Sequence, residues 1–349
     1  MASLAKDRAL RMIASAARHG GLVAHARRLS VAKCVILAYH SISPISDSEP
    51  SCLDIAGMRI TPSAFRAQME YIARHYNVIS LEEALRSWSS RSPLPPRSCV
   101  ITLDDGYLDA YEHAVPILEN LGMKATFFII GKVLKSHESP WLHRMHFLLD
   151  SVGLYRFHAA LRQLAPDFFT STVPSKSLLS AHIWHLFTSK DMHFRRELLE
   201  RLNALLGVES ATGYPFMQSG QVVALRQRGF EIGCHSYEHE YMKNLSREEI
   251  LADLSKSRAA LESALGFTPR TFCVPFGAFN DTLLTALREE GFLCACNSNH
   301  GLNDSSTNCF ALMRIGIRSE MSFSQFTWHI SGLHERTRNL CHAIGLRTS

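Results

Sequence analysis

Short runs of uninterrupted apolar residues recur along this chain, each separated from the next by a stretch of helical periodicity. This alternation restricts the fold more than any other feature. Cys34-Val35-Ile36-Leu37-Ala38-Tyr39 is the first long run and Ser98-Cys99-Val100-Ile101 the central one. Further runs cover Ala125–Ile130, Glu231–Cys234, Phe272–Val274, Phe292–Cys296 and Leu312–Ile317, with a shorter one at Val78-Ile79-Ser80. Helical patterns fill the gaps: from Thr61-Pro62 to about His75, then Leu81–Ser90, Ala110–Leu121, Val222–Arg228, Arg247–Leu265 and Leu283–Glu290. A strand apolar on both faces must be covered on both, and alternating helices do this for a parallel sheet. The expected fold class is α/β. About seven parallel strands are enough for a distorted, incomplete (β/α) barrel.

The alternation stops between Lys132 and Gln218. That stretch is too long and too apolar for a loop, so residues 136–217 are expected to form an inserted helical subdomain. Its histidines, His143 and His146 among them, have no carboxylate at ligand spacing and read as packing residues, and Trp141 and Trp184 as part of a small core or a wall for the substrate. The barrel is then expected from 31–135 and 218–320, with a C-terminal helix over 321–349 beginning at Phe323.

Residues 1–30 form a basic helical leader. Lys6, Arg8, Arg11, Arg18, Arg27 and Arg28 stand against one acid, Asp7, with Leu4, Leu10, Ile13 and Ala17 close to helical spacing. Such a helix either makes peripheral contact with an anionic membrane surface or packs on the domain. It has no continuous apolar core and is not a secretory signal, and no stretch is long enough to span a membrane. A cytoplasmic location follows as the expectation, peripheral to the inner membrane face if the leader binds lipid. A net charge of +5, partly concentrated in the leader, does not point to nucleic acid. Nine cysteines without a CxxC pair argue against a disulfide framework, and most sit in the strand runs as small hydrophobes.

Two polar clusters stand immediately after strand runs. Thr102-Leu103-Asp104-Asp105-Gly106 follows the central strand, and adjacent carboxylates at the end of a buried strand resist joint ionisation. A metal bound to one of them removes the conflict and leaves the other as a base. His235-Ser236-Tyr237-Glu238-His239 follows Glu231–Cys234, and histidines four apart can share a metal. Barrel enzymes assemble their sites at C-terminal strand ends. Two histidines and one aspartate make a facial triad with open positions, suited to zinc or another divalent ion.

At these residues the chain resembles the polysaccharide deacetylases with a NodB-homology domain (carbohydrate esterase family 4). Thr102–Gly106 is similar to their T-F-D-D-G motif, His235–His239 to H-S/T-x-x-H, and Val274-Pro275-Phe276-Gly277 to a proline-aromatic-glycine groove motif. The resemblance implies a distorted (β/α) barrel, one divalent metal ion (zinc, with cobalt, nickel or manganese as alternatives), and Asp105, His235 and His239 as its ligands. It implies Asp104 as general base, and Pro275 and Phe276 as groove residues, the Phe276 backbone N–H helping to hold the oxyanion. Two departures stand out. Many members carry an arginine just before the proline-aromatic pair, where this chain has Phe272-Cys273-Val274. Arg314, a charge inside the apolar run Leu312–Ile317, either points into the barrel toward Asp104 in its place or faces outward at a sheet edge. Members also supply an acid from a C-terminal Leu-x-His motif, and no histidine follows Leu312–Ile317 closely; His300 lies in a polar loop and His329 on the terminal helix. Leu37-Ala38-Tyr39-His40 supplies it from the N-terminal strand, as in the circularly permuted subgroup related to biofilm poly-N-acetylglucosamine deacetylases.

The function expected is metal-dependent hydrolysis of N-acetyl groups on N-acetylhexosamine units of a polysaccharide or oligosaccharide, releasing acetate. The partner is an N-acetylated glycan or lipid-linked oligosaccharide. Hydrolysis of another amide (a formamido sugar or small cyclic amide) and a non-catalytic carbohydrate-binding relative are the alternatives.

Overall fold

The strand runs form one curled parallel sheet. In chain order the strands are β1 (Val35–Tyr39), β2 (Ser41–Ile42), β3 (Arg59–Ile60), β4 (Asn77–Val78), β5 (Ser98–Leu103), β6 (Thr126–Ile129), β7 (Glu231–Cys234), β8 (Thr271–Cys273), β9 (Cys294–Cys296) and β10 (Ile315–Gly316). The sheet order is β10-β1-β5-β6-β7-β8-β9, with the short β4 beside the start of β5, while β2 and β3 pair separately. These positions come from a computed structural model that describes residues 2–44, 51–135, 138–208 and 214–343. The expected start of the insertion at 136, the end of the C-terminal segment (344–349) and the side chains of residues 1–10 lie outside the described residues.

The run Leu312–Ile317 is not one continuous strand. It changes partners midway: Leu312 bridges β9 through Ala295 and Asn297, whereas Ile315 and Gly316 pair with β1. One apolar segment thus spans the gap between the outer strands of the sheet, with Arg314 at the point of crossing. Two apolar layers result from the period-two alternation of the strands. Val35, Leu37, Tyr39, Ile101, Leu103 and Phe127 pack with the helices, while Cys34, Ile36, Val100, Phe128, Cys273, Cys294 and Cys296 form a second cluster. The six other described cysteines besides Cys52 and Cys309 are fully buried, five within strands and Cys34 just before β1, which accounts for their place in the sequence.

Register brings the polar clusters together. β1 and β5 pair from Val35↔Cys99 to Tyr39↔Leu103, so His40 and Asp104 leave the same end of adjacent strands, and the Asp104 N–H donates to the Tyr39 carbonyl at 2.9 Å. β6 and β7 pair up to Ile129↔Cys234, which delivers His235 to that same end.

Three helical expectations are corrected in detail. The helix after β5 starts with a π-turn over Ala110–Ala114 before Val115–Asn120; Pro116 has no N–H and disturbs the preceding hydrogen-bond ladder. The C-terminal helix is two helices, Phe323–Ile330 and Leu333–Ala343, divided at Gly332 with φ +79°. The leader is likewise two helices, Ala2–His19 and Leu22–Leu29. The longer one packs on Phe323–Ile330, burying Ala14 and Ala17 and setting Arg18 over the Phe323 ring at 4.7 Å. Met12, Ile13, Leu22 and Leu29 stay exposed, and among the described residues no helix is long and apolar enough to cross a membrane.

The insertion contributes the helices Trp141–Val152, Leu154–Leu164, Lys176–Ser189 and Met192–Leu206 around their own core, which includes Met145, Leu149, Phe157, Leu161, Ile183 and Leu202. A buried ion pair, Arg195–Glu240 at 2.7 Å, ties it to the segment that follows His239.

Gly233 carries a direct test of this architecture. A Cβ at this β7 position would stand 2.5 Å from the Phe128 ring and 2.7 Å from Thr271 Oγ1. Gly233→Ala is therefore expected to destabilise the protein by ~1–3 kcal/mol through overpacking, measured by urea unfolding. An unchanged midpoint would show that β6, β7 and β8 are not packed at this spacing.

Candidate metal centre and active site

Asp104 is 2 % exposed, and burial alone would push its carboxyl up. The Arg314 guanidinium reverses this and holds it below the usual carboxylate range. The pair is bidentate, with Nη1 to Oδ1 at 2.8 Å and Nη2 to Oδ2 at 2.7 Å. Arg314 also donates from Nε to the Asn297 carbonyl at 2.9 Å and from Nη1 to Thr102 Oγ1 at 3.0 Å. Every side of the guanidinium is engaged, as a buried cation requires. In the place where the resemblance would put an arginine, Cys273 sets its Sγ 3.5 Å from Asp104 Oδ2. Burial pushes that thiol up to about 11, so it stays protonated and is not a competing anion.

Asp105, the neighbour, turns the other way. Its φ is +70°, and Ser236, His239 and Phe276 also hold left-handed backbones, at +59°, +55° and +57°. Such conformations are costly for residues with a Cβ and gather where a site over-determines them. Gly106, at φ +83°, completes the turn. Asp105 Oδ1 lies 3.1 Å from His235 Nε2 and 3.2 Å from His239 Nε2, and the two Nε2 atoms are 3.3 Å apart. His235 Nδ1 stands 2.8 Å from the Cys273 carbonyl, which fixes that nitrogen as the donor and turns Nε2 toward Asp105.

His40 follows β1, its side chain 25 % exposed and its Nε2 3.8 Å from Asp104 Oδ2. Burial lowers its pKa against the pull of Asp105 and Asp104. Phe276 sits in a tight turn after Pro275, its ring 4.7 Å from the His239 ring and 4.8 Å from Trp184 of the insertion. His40, Asp104, Asp105, His235, His239, Phe276 and Arg314 all line one cavity of about 450 Å³. Pro275 is buried beside Phe276 and is not among the lining residues. His300, set aside in the sequence because of its loop, is on the cavity wall too.

One functional candidate was not legible at all. His143, on the first helix of the insertion, is buried with Nε2 3.7 Å from Asp105 Oδ2 and its ring 5.1 Å from His239. The packing role read for it is real, since it also lies against Tyr107 and Phe216, but the ring faces the carboxylate as well. His146 points elsewhere, to Ser180 Oγ. Trp141 and Trp184 pack against Phe187 within the insertion.

The donors fit a single divalent ion. Three ligand atoms 3.1–3.3 Å apart match the edges of a coordination shell with bonds of ~2.0–2.1 Å. Burial brings His239 down to about 4, so its ring is neutral, as a ligand must be. His235 is drawn the other way: burial lowers its pKa, yet the contact with Asp105 and the charge of Asp104 carry it well above the ordinary value. The site therefore attracts positive charge. Asp105 Oδ2 is buried without a hydrogen-bond partner, which leaves one carboxylate oxygen open at the same spot.

A parallel barrel whose C-terminal strand ends bring carboxylates, imidazoles and an open cavity together has the layout of an enzyme site. The chain belongs to the polysaccharide deacetylase family, whose model matches residues 91–295. It is 22 % identical over 304 residues to YxkH of Bacillus subtilis (strain 168), named as a polysaccharide deacetylase, covering 86 % of this chain and 77 % of that one. It is 22 % identical over 307 residues to the poly-beta-1,6-N-acetyl-D-glucosamine N-deacetylase of Escherichia coli (strain K12), covering 87 % of this chain but only 39 % of that protein. Among solved structures, the Streptococcus pyogenes deacetylase PplD in complex with acetate superposes with a TM-score of 0.57 at 17 % identity, over 86 % of this chain and 99 % of that one. IcaB from Ammonifex degensii gives 0.54 at 18 %, over 86 % and 97 %. His40 and Arg314 both fall outside the matched residues 91–295.

Two outcomes follow from the geometry. Arg314→Met leaves a buried carboxylate uncompensated and should cost ~3–5 kcal/mol in denaturant unfolding, most of it recovered by adding Asp104→Asn. Equal costs with and without the second change would mean that the two side chains do not act as a pair. His143→Ala should weaken zinc binding by ~10–100-fold in a chelator competition, as loss of an outer partner of a ligand does. An unchanged affinity would leave His143 a packing residue only.

Proposed function

We propose that this chain removes N-acetyl groups from N-acetylhexosamine units of a polysaccharide or oligosaccharide, releasing acetate, with one divalent metal ion, zinc by preference. The observation that carries the reading is the division of two adjacent carboxylates: Asp104 locked onto Arg314, Asp105 turned to two imidazoles, with His40 across the same cavity. Asp105, His235 and His239 would hold the metal, which would polarise the amide carbonyl and acidify a water. Asp104 takes the proton from the attacking water. Arg314 keeps it ionised and fixed in orientation, so it is ready as a base at neutral pH. His40 gives its proton to the departing nitrogen. Phe276 offers its backbone N–H to the carbonyl oxygen as negative charge develops there, as the groove motif Val274–Gly277 suggests. The name of the Escherichia coli relative supports a β-linked N-acetylglucosamine chain as the first substrate to try.

Mass spectrometry of N-acetylated hexosamine oligosaccharides after incubation with metal-loaded protein should record loss of one acetyl per reacting unit. Turnover of a formamido sugar or a cyclic amide, with every N-acetyl glycan left intact, would move the substrate to another amide. His40→Ala should keep the metal but lose turnover by ~10²–10⁴-fold. Because the acid must be protonated, activity falls as pH rises through the His40 pKa, which burial sets below the usual histidine value. The variant should lack that alkaline limb. Near-normal turnover with the limb intact would place the acid elsewhere.

A further inference from the structure

We propose that His300, His329 and His334 form a second metal site, separate from the Asp105 centre, that takes a divalent ion of the cobalt-to-zinc series at the edge of the cavity. Three elements contribute one imidazole each. His300 comes from the loop after β9, His329 from the last turn of Phe323–Ile330, and His334 from the first turn of Leu333–Ala343. Their ring centroids lie 4.8, 4.6 and 4.4 Å apart, and one nitrogen from each falls within 4.8 Å of the other two. His300 Nε2 and His329 Nδ1 are 3.1 Å apart, a spacing that demands one shared proton or one shared ion.

The convergence is not an accident of helical spacing. His329 and His334 are five residues apart, which a continuous helix would place ~140° from each other around its axis. They meet only because the helix breaks at Gly332, and packing holds that break in place. Gly332 has φ +79°, and a Cβ there would stand 2.6 Å from Ser30 Oγ and 2.9 Å from Leu302 Cδ1. The leader and the loop that carries His300 thus lock the geometry that faces the two histidines toward each other.

The chemistry of the cluster is that of a ligand set. Burial holds His300 at about 4 and His329 at about 3, and lowers His334, so all three present neutral imidazoles at pH 7. Neutral imidazole suits zinc, copper, nickel and cobalt, and three such donors leave a further position for water. The nearby charges are mixed. Arg338, one turn beyond His334, opposes a cation, while Glu335 is engaged by Lys33 at 3.4 Å. Magnesium and calcium, which need oxygen donors, are excluded by the absence of a carboxylate from this triad. A bound ion would clamp the two C-terminal helices to the loop that walls the cavity, and so fix the cavity edge without taking part in the hydrolysis.

The test uses the full chain prepared without a polyhistidine tag, stripped of metal and titrated with Co²⁺ while visible absorption and bound metal are recorded. The wild type should bind two ions and His334→Ala one, with equal circular dichroism. His235→Ala/His239→Ala, which disables the first site, should still bind one ion with d–d bands of a low-symmetry nitrogen site, and adding His334→Ala should abolish it. A single ion in both the wild type and His334→Ala would overturn the proposal. So would an unchanged spectrum when His334→Ala is added to the double variant. If the double variant does not fold, the comparison of wild type with His334→Ala decides alone. Because the first site is read separately, its failure to bind metal would leave one ion in the wild type and none in His334→Ala, which distinguishes the two claims.

Discussion

The bidentate contact between Arg314 and Asp104 is the interaction on which the rest of the site depends. Two carboxylates on consecutive residues at a buried strand end cannot both be ionised without opposite charge at hand. Arg314 supplies it for Asp104 from the closing segment, at the residue where that segment passes from β9 to β1. That frees Asp105 to turn, through a left-handed backbone, toward His235 and His239. Remove the guanidinium and the two carboxylates share one field again, with a proton the natural compromise.

How the arginine comes to be there is a matter of strand topology. A charge inside an apolar run is tolerated only where its partners are already aimed at it. The Thr102 hydroxyl gives its own proton to the Leu37 carbonyl and accepts from Arg314, while the Asn297 carbonyl takes the Nε hydrogen. Cys273, next to the turn where a cation would otherwise stand, is a small neutral filler. The guanidinium that meets this carboxylate comes from outside the stretch matched by the family model.

Much of this was legible in the chain. Continuous apolar runs separated by helical periods predict the parallel sheet, and polar residues placed just past those runs predict which strand ends meet, because parallel strands all deliver their C-termini to one face. Arg314 could be singled out because its neighbours Leu312, Met313, Ile315 and Ile317 are apolar. His143 could not, since nothing local on the helix Trp141–Val152 shows that its ring reaches across to Asp105; that contact belongs to how the insertion docks, through Arg195–Glu240 and the Trp184–Phe276 edge contact. The meeting of His300, His329 and His334 was hidden for a related reason. It rests on a helix break at Gly332 that the periodicity from Phe323 onward does not reveal.

In the function proposed above, the adjacent aspartates have unlike tasks, one holding metal and the other staying free of it as a base. X-ray absorption at the zinc edge, on Asp104→Asn and Asp105→Asn proteins loaded in parallel and each carrying His334→Ala to silence the second cluster, tests this most directly. Asp104→Asn should retain zinc with an unchanged first coordination shell, and Asp105→Asn should lose the ion or show one oxygen ligand replaced. Loss of zinc from Asp104→Asn, with the native shell kept in Asp105→Asn, would contradict that division of tasks.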